Sequence, residues 1–405
     1  MHGLNPHRFD PPHRGARGLQ SHRASGSPLL FEKGRTLKMR LLSACVVFHF
    51  SISMACFAQT PTVADTTKSD PVAYLNRALD EMQAHALRRS FVDWPRVRAE
   101  AMARAVHATD TVGTYDAIRF ALDSLGDHHS SLHLTPALEA LDAQYHAAHA
   151  PDSPTSAQHE SFSAYVGRYK PEGHLEHRGD KTIALVVVTK CFPENDRDFV
   201  AFETNLQRIV AELDASHPSG WIVDLRGNVG GNMWPMLAGI GPVLGEGEDL
   251  GEFFDTTGHS VWRYRDGVAA EVENGKVNAY PAVEGRAYHL AGIPKVAVLI
   301  DHNTGSSGEA IAIAFRGRPD TRFFGEHTAG VSTVNETFGL SDGASLLLTI
   351  GVGADRTGRQ YTSGLAPDVA ISGGNAILPP AGDPVVQAAL DWLGGAPVSD
   401  NREPR

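Results

Sequence analysis

Residues 303–309 have the sequence Asn-Thr-Gly-Ser-Ser-Gly-Glu and lie between two apolar segments, Val296 to Ile300 and Ala310 to Phe315. The first segment is rich in branched residues and predicts a buried strand, and the second predicts the start of a helix. A serine therefore stands where a strand turns into a helix. The free N–H groups of a helix start can stabilise an oxyanion, although Ser306 and Ser307 could also act only as helix caps.

The chain around this stretch alternates predicted strands and helices. Apolar strands separated by helices predict an α/β fold with a mainly parallel sheet covered on both faces. Residues 249–285 predict a hairpin insertion, with turns at Asp266-Gly267 and Asn274-Gly275. The predicted strands are 183–188, 221–225, 296–300, 322–324, 345–350 and 368–371, and the predicted helices are 199–213, 233–244, 310–315 and 384–393.

The first 58 residues have a different character. Residues 1–38 show no periodicity and predict an upstream extension. Residues 39–58 predict a secretory signal peptide, because basic residues flank the start of a short apolar run that ends in small residues. A lipoprotein anchor at Cys56 is an alternative, although Ser53 stands where such signals carry leucine.

Between the signal peptide and the α/β core, the apolar residues of 72–125 recur at three- and four-residue spacing, which predicts a small N-terminal helical domain. A polar stretch with prolines follows and predicts a mobile linker or lid. The predicted organisation is extension and signal peptide 1–58, helical domain 59–135, linker or lid 136–180, α/β domain 181–395 and tail 396–405.

The composition is globular and acidic, with 42% hydrophobic residues and a net charge of −11. Removal of the basic residues 1–58 would make the chain more acidic still, which disfavours nucleic acid and anionic membranes as partners. Two of the three cysteines, Cys45 and Cys56, lie in the predicted signal peptide. The exported chain would keep only Cys191, so it could form no intrachain disulfide. Cys191 follows a predicted strand, where no helix lowers its pKa, and we do not expect a nucleophile there.

A glycine-rich motif closes the predicted strand 221–225 and runs Asp-Leu-Arg-Gly-Asn-Val-Gly-Gly-Asn from Asp224 to Asn232. Glycines there let N–H groups approach a ligand closely, although a simple tight turn explains them equally well. The motif lacks the glycine spacing of nucleotide-binding loops. We expect Asp224 and Arg226 to brace the turn rather than to react.

Histidines supply the candidate bases. The polar turn Gly126 to Ser131 contains His129, and an imidazole titrates near neutral pH, as a general base requires. His302 and His327 lie close to Ser306 in sequence and are alternatives. Two His-x-x-His pairs could bind zinc, but no third ligand is evident, so we expect no metal site; the pairs are His146/His149 and His174/His177.

Five motifs in sequence order resemble those of the tail-specific, C-terminal processing serine peptidases. They are Leu-Gly-Asp-x-His-Ser at 125–130, Asp-Leu-Arg-Gly-Asn-x-Gly-Gly at 224–231, Thr-Gly-Ser-Ser-Gly-Glu at 304–309, Gly-Glu-x-Thr-Ala-Gly at 325–330 and Gly-Leu-x-Pro-Asp at 364–368. The resemblance spans about 120–375. It implies a crotonase-like (Clp-protease-like) sheet-and-helix core, with Ser306 as the nucleophile.

The resemblance also indicates which branch of the family is nearest. Val331 stands where the bacterial processing peptidases carry a lysine base, so a Ser-Lys dyad is excluded. The chain is more similar to the tricorn-core and interphotoreceptor retinoid-binding-protein branch, which implies His129 as the base. The oxyanion hole would then be formed by the Ser307 N–H and a glycine amide at Gly230 or Gly231.

One part of that pattern is missing. Tyr361 stands where the branch carries a glutamate that orients the base. Glu336 is our candidate replacement, and Asp127 is a second one.

The resemblance and the motifs together predict an exported serine peptidase, periplasmic or secreted, that cleaves peptides or unfolded polypeptides through a Ser-His acyl-enzyme mechanism. We expect no cofactor, no metal and no stable membrane span, and the sequence leaves a homo-oligomer open. The alternative is a non-catalytic binding protein for an apolar ligand or peptide, because the retinoid-binding repeats use the same scaffold. An esterase would use the same residues.

Overall fold

The computed structural model describes residues 68–149, 170–247, 249–255, 258–373 and 382–396. The predicted extension and signal peptide, and residues 397–405 of the predicted tail, lie outside this part of the chain. The described α-helices are α1 (Pro71–His85), α2 (Trp94–Arg104), α3 (Tyr115–Asp123), α4 (Pro136–His149), α5 (Asp196–Asp214), α6 (Met233–Leu244), α7 (Ser307–Phe315) and α8 (Pro384–Gly394). None of these helices is both long and apolar enough to cross a bilayer.

The described strands form two sheets. They are β1 (Ser131–His133), β2 (Glu172–Arg178), β3 (Lys181–Val187), β4 (Gly220–Asp224), β5 (Gly251–Asp255), β6 (His259–Arg265), β7 (Val268–Glu273), β8 (Lys276–Ala279), β9 (Val296–Ile300), β10 (Thr321–Gly325), β11 (Thr333–Gly339), β12 (Ser345–Asp355), β13 (Gln360–Tyr361) and β14 (Val369–Ala370).

The first sheet has the strand order β14-β10-β9-β4-β3-β2 and is parallel except between β3 and β2. Successive side chains of β4 point to opposite faces, so Trp221 packs with α5, α6 and α7 while Ile222 packs with α8. The whole of β4 and β9 is buried. The predicted α/β class and the mainly parallel, doubly covered sheet are therefore confirmed.

The second sheet is antiparallel and follows the path β1-β12-β5-β6-β7-β8, with β11 and β13 also paired to β12. The predicted hairpin insertion forms β5 to β8, and its turns have positive φ at Asp266 (48°), Gly267 (76°), Asn274 (50°) and Gly275 (79°). The predicted strand 345–350 lies in β12 of this sheet, not in the parallel one. Apolar patterning predicts that a segment is extended, but it does not identify the strand with which the segment pairs.

Helices α1 to α3 pack on the β11–β12 hairpin, and together they form a second hydrophobic core. Side chains from both parts share this core, among them Leu75, Leu79, Met82, Ile118, Leu346 and Leu348. The hydroxyls of Tyr74 and Tyr115 donate to the two carboxylate oxygens of Asp342, over 2.8 and 2.7 Å. The N-terminal helices are thus attached to this hairpin by buried apolar and polar contacts.

The predicted linker or lid, residues 136–180, begins with the helix α4. Leu138 is fully buried, and Arg119 forms an ion pair of 2.6 Å with Asp142. Thr135 caps the helix by accepting the Leu138 N–H over 3.3 Å. A threonine cap followed by proline and by alanine- and leucine-rich sequence favours a helix, so the sequence contained this signal. Residues 150–169 of the segment lie outside the described residues.

Candidate active site

Ser306 lies at the start of α7, directly after β9 and its polar turn, as predicted. Its backbone has φ 51° and ψ −119°. A non-glycine residue with positive φ is strained and is retained only where its surroundings hold it. The Ser306 N–H donates to Glu309 Oε2 over 3.1 Å. The serine is therefore fixed in an unfavourable conformation at a helix N-terminus.

Glu309 is the residue that holds this turn. Its carboxylate is fully buried and accepts four hydrogen bonds. Oε1 accepts from Thr328 Oγ1 (2.6 Å) and from the Gly330 N–H (3.0 Å), and Oε2 accepts from the N–H groups of Ser306 (3.1 Å) and Val331 (2.9 Å). One side chain thus joins the serine turn to the loop that precedes β11.

The glycine turn after β4 packs against Ser306. A Cβ atom on Gly230 would lie 2.8 Å from Ser306 Cβ and 3.1 Å from the Ser307 nitrogen. The Gly230 N–H is already used, because it donates to Asn228 Oδ1 over 3.0 Å. Within the described residues, the N–H groups of Gly231 and Ser307 have no hydrogen-bond acceptor. Of the two glycine amides predicted for the oxyanion hole, the one at Gly231 remains available.

Cys191 supports this turn through its backbone. Its N–H donates to the Gly230 carbonyl (3.1 Å), and its carbonyl accepts from the Asn232 N–H (2.6 Å). Ser307 Oγ holds the same turn by donating to the Gly231 carbonyl over 2.5 Å. Burial raises the pKa of the Cys191 thiol to about 12, which agrees with the expectation that this thiol is not a nucleophile.

A buried carboxyl, Glu203 on α5, lies close enough to Cys191 for its charge to raise the pKa of that thiol further. Glu203 is fully buried, and neither of its oxygens has a hydrogen-bond partner in the described part of the chain. Burial raises the pKa of Glu203 from its ordinary value of 4.5 to about 8. The carboxyl is therefore protonated at neutral pH.

Because the Glu203 carboxyl is protonated in the native state, we expect the free energy of unfolding to fall as the pH rises. Between pH about 4.5 and about 8 the unfolded chain has released this proton while the native state keeps it, so each step in pH favours unfolding. We expect Glu203→Gln to remove this pH dependence, so that between pH 5 and pH 8 its free energy of unfolding rises relative to that of the wild type by about 3–4 kcal/mol. Urea unfolding at pH 5 and pH 8 measures the free energy of unfolding of each variant, with exposed Glu172→Gln as the control. Equal pH slopes in wild type and Glu203→Gln would contradict the prediction.

His129 lies in the turn between α3 and β1. Asp127 Oδ1 fixes its backbone by accepting the N–H groups of His129 (3.1 Å) and Ser130 (2.8 Å). The ring nitrogen Nδ1 is 2.6 Å from Thr333 Oγ1. Burial lowers the pKa of His129, and the charge of Asp127 opposes this shift only in part. The imidazole is therefore neutral near pH 7, as a general base must be.

The loop before β11 connects the serine and the histidine. At one end, the Val331 N–H is bound by Glu309, and Val331 Cγ2 would lie 3.4 Å from a Cβ atom on Gly305. Two residues later, Thr333 contacts the His129 ring. Residues 331–333, from this loop to the first residue of β11, thus contact the nucleophile turn and the candidate base in succession.

The same part of the chain matches a known family. Residues 183–371 match the family model described as Peptidase family S41. These residues, which are just under half of the chain, form a domain similar to the S41 peptidases, the S41 domain. The resemblance predicted from the motifs is thus confirmed at the level of the family. The domain contains Ser306, Gly231 and Thr333, whereas His129 comes from the segment that precedes it.

The similarity of this chain to known proteins extends beyond the S41 domain. The nisin-resistance protein of Lactococcus lactis subsp. lactis is 28% identical over 305 residues, which cover 74% of this chain and 83% of that protein. The structure of a lipoprotein from Streptococcus agalactiae superposes with a TM-score of 0.59 at 22% identity, covering 84% of this chain and 99% of the lipoprotein. The structure of the photosystem II D1 C-terminal processing protease superposes with a TM-score of 0.51 at 17% identity, covering 75% of this chain and 94% of the protease. The two structures share the fold of this chain.

The side chain that contacts the His129 ring in the S41 domain carries a hydroxyl, whereas we predicted an acid there. Glu336 lies on β11 but is exposed to solvent, and Nδ1 of His129 contacts Thr333 instead. Asp127 binds backbone groups of its own turn, and Tyr361 donates to Asp355 Oδ2 over 2.7 Å in the core. The resemblance to the tricorn-core branch implied a carboxylate at this place, and no sequence signal singles out Thr333.

Asp224 and Arg226 brace the glycine motif of the S41 domain, as expected, and they do so through an ion pair. Arg226 donates to both oxygens of Asp224, with Nε–Oδ1 at 2.9 Å and Nη2–Oδ2 at 2.7 Å, and all these groups are buried. Its remaining nitrogen donates to Asp383 Oδ2 over 2.8 Å. Asp383 also caps α8, so this unpredicted residue ties the last helix to the turn.

The other histidines have partners away from Ser306. His302 and His327 are both exposed, and in the described part of the chain no histidine ring, that of His129 included, forms a hydrogen bond with Ser306. Nδ1 of His302 is 3.0 Å from Glu326 Oε2, and Nδ1 of His327 is 2.9 Å from the Thr328 carbonyl. The four histidines of the His-x-x-His pairs bond to other protein groups, namely His146 to Asp116, His149 to Tyr145, His174 to Glu176 and His177 to Thr182.

Proposed function

We propose that this chain is an exported serine peptidase that hydrolyses peptide bonds in peptides or unfolded polypeptides, with Ser306 as nucleophile and His129 as base. Its S41 domain belongs to a peptidase family, which supports the reaction class. We place it in the tail-specific group, on the branch that uses histidine, with a crotonase-like core behind a small helical domain.

The observation that carries the proposal is the packing of Gly230 on the serine. No side chain fits there, because a Cβ atom on Gly230 would lie 2.8 Å from Ser306 Cβ. In the turn that makes this close approach, the amides of Gly231 and Ser307 have no acceptors among the described residues. Both amides therefore remain free to bind an oxyanion at the N-terminus of the helix that carries the strained serine.

In the proposed mechanism, Nε2 of His129 removes the Ser306 proton as Oγ attacks the peptide carbonyl. The N–H groups of Gly231 and Ser307 stabilise the oxyanion, helped by the positive end of the α7 dipole. The imidazolium then gives its proton to the leaving amine, and the acyl-enzyme is hydrolysed by water that His129 activates in the same way.

Two observations support a location outside the cytoplasm, periplasmic or secreted. Residues 39–58 have the pattern of a signal peptide, and one similar structure is that of a lipoprotein. The name of the lactococcal relative refers to nisin resistance, so we include nisin among the test substrates.

The test is mass spectrometry of β-casein and nisin after incubation with the purified protein. We expect cleavage by the wild type and a loss of at least about 1,000-fold in Ser306→Ala and His129→Ala. Exposed Ser341→Ala and His133→Ala are the matched controls and should cleave normally. A fluorophosphonate probe should label Ser306 in the wild type.

The outcomes separate the alternatives. Equal cleavage by Ser306→Ala would rule out the serine mechanism. If the wild type cleaves neither substrate and Ser306 resists the probe, the chain is a non-catalytic binding protein on this fold. Hydrolysis of p-nitrophenyl esters without peptide cleavage would make it an esterase.

A further inference from the structure

A histidine base needs a partner on the ring nitrogen that does not face the nucleophile. For Nε2 to accept the Ser306 proton, Nδ1 must carry a hydrogen, and an acceptor at Nδ1 favours that tautomer and holds the ring in place. In this chain the atom at Nδ1 is Thr333 Oγ1, at 2.6 Å.

Both sides of this contact are held by the fold. Thr333 is the first residue of β11 and pairs with Val352, and as a β-branched residue it has few side-chain rotamers. The Ser332 carbonyl just before it accepts the Gly353 N–H over 3.1 Å. On the other side, Asp127 fixes the backbone of His129. The fold therefore fixes the backbone on both sides of the contact between Thr333 and His129.

The charged groups near the ring are few in the described part of the chain. Asp127 lies on the same turn and acts on the ring through its charge, but its carboxylate is bonded to N–H groups and to Ser130 Oγ. Glu336, on β11, is exposed. No carboxylate in this part of the chain accepts a hydrogen bond from the His129 ring.

We propose that Thr333 is the positioning residue of the base and that its neutral hydroxyl occupies the place of a catalytic carboxylate. The proposal rests on the proposed peptidase function. In this arrangement the Thr333 hydroxyl accepts the Nδ1 hydrogen as a carboxylate would, but because a hydroxyl can also donate it selects the tautomer less strongly, and it stabilises the imidazolium less. The base therefore stays unprotonated into mildly acidic solution, at the cost of a slower proton transfer.

The test compares Thr333→Val, Thr333→Ser and Thr333→Asp, with exposed Thr337→Val on the same strand as the control. In Thr333→Val we expect kcat to fall about 10- to 100-fold with KM unchanged, as a part of what a positioned base contributes. Thr333→Ser should remain within about threefold of wild type because it keeps the hydroxyl. Thr333→Asp should raise the pKa of His129 by about 1 to 2 pH units. The acid limb of the kcat/KM profile should move to higher pH by the same amount.

The second readout needs no activity. NMR of ring-labelled histidine, with the His129 signal assigned by its loss in His129→Gln, reports the tautomer and the pKa directly. We expect the Nδ1–H tautomer in wild type and Thr333→Ser, and a mixture in Thr333→Val.

The two readouts distinguish the failures. If Thr333→Val matches Thr337→Val in rate, tautomer and pKa, Thr333 is not the positioning residue. If neither the wild type nor any variant cleaves a substrate but the pKa of His129 changes as expected in the Thr333 variants, the proposed function is wrong, whereas the contact between Thr333 and His129 is supported. Should Thr333→Asp not fold, the comparison of Val with Ser at this position decides.

Discussion

Replacement of Gly231 by alanine is expected to abolish hydrolysis and to lower the free energy of unfolding by at least about 3 kcal/mol. Gly231 has φ 111°, and a Cβ atom there would lie 2.0 Å from the Cys191 carbonyl oxygen. That oxygen is backbone and cannot rotate away. The turn would have to move, and the Gly231 amide would leave the oxyanion site with it.

The control separates the clash from the strained φ. Gly343 has φ 94° and no atom within 4 Å of its Cβ position. Gly343→Ala should therefore cost only about 1–2 kcal/mol and leave hydrolysis unchanged. Urea unfolding and peptide cleavage measure both variants. Wild-type cleavage by Gly231→Ala would mean that the turn is not needed in this conformation.

Glu309→Gln is expected to reduce hydrolysis at least about 100-fold and stability by about 2–4 kcal/mol. The four donors around Glu309 all require acceptors, and the glutamine NH₂ group would face two of them. Two buried donors would then lose their bonds, and the strained Ser306 backbone would lose part of its support.

Exposed Glu336→Gln is the matched control for Glu309→Gln, because it makes the same chemical change on the surface. It should alter stability by less than about 0.5 kcal/mol and leave activity unchanged. Urea unfolding and kcat/KM are again the measurements. If Glu336→Gln lowers activity while Glu309→Gln does not, Glu336 orients the base and the Glu309 carboxylate is not needed to hold the serine turn.

Sequence patterns predicted those parts of the fold that are set by local apolar runs. Strand β9 and helix α6 have the predicted bounds, Val296–Ile300 and Met233–Leu244, because both are continuous apolar segments with clear ends. The location of Ser306 at a strand-to-helix turn followed from the same signal.

Contacts between distant residues were beyond prediction. Thr333 and His129 are 204 positions apart, and Arg226 and Asp383 are 157 apart. One sequence carries no record of which distant side chains meet, and a threonine or a cap aspartate has many ordinary uses. The expectation of an acid beside the base therefore pointed to Glu336 and missed the hydroxyl.

The two members of the proposed dyad are carried by different hydrophobic cores. Helix α7, which begins after Ser306, belongs to the core on the parallel sheet, whereas Leu125 and Leu132, on either side of His129, belong to or pack on the core of the N-terminal helices. A displacement of one core over the other by about 1 Å would cost on the order of 100-fold in rate with every element intact. For the proposed dyad, a molecule that separates the two cores would therefore inhibit hydrolysis without reaching the serine.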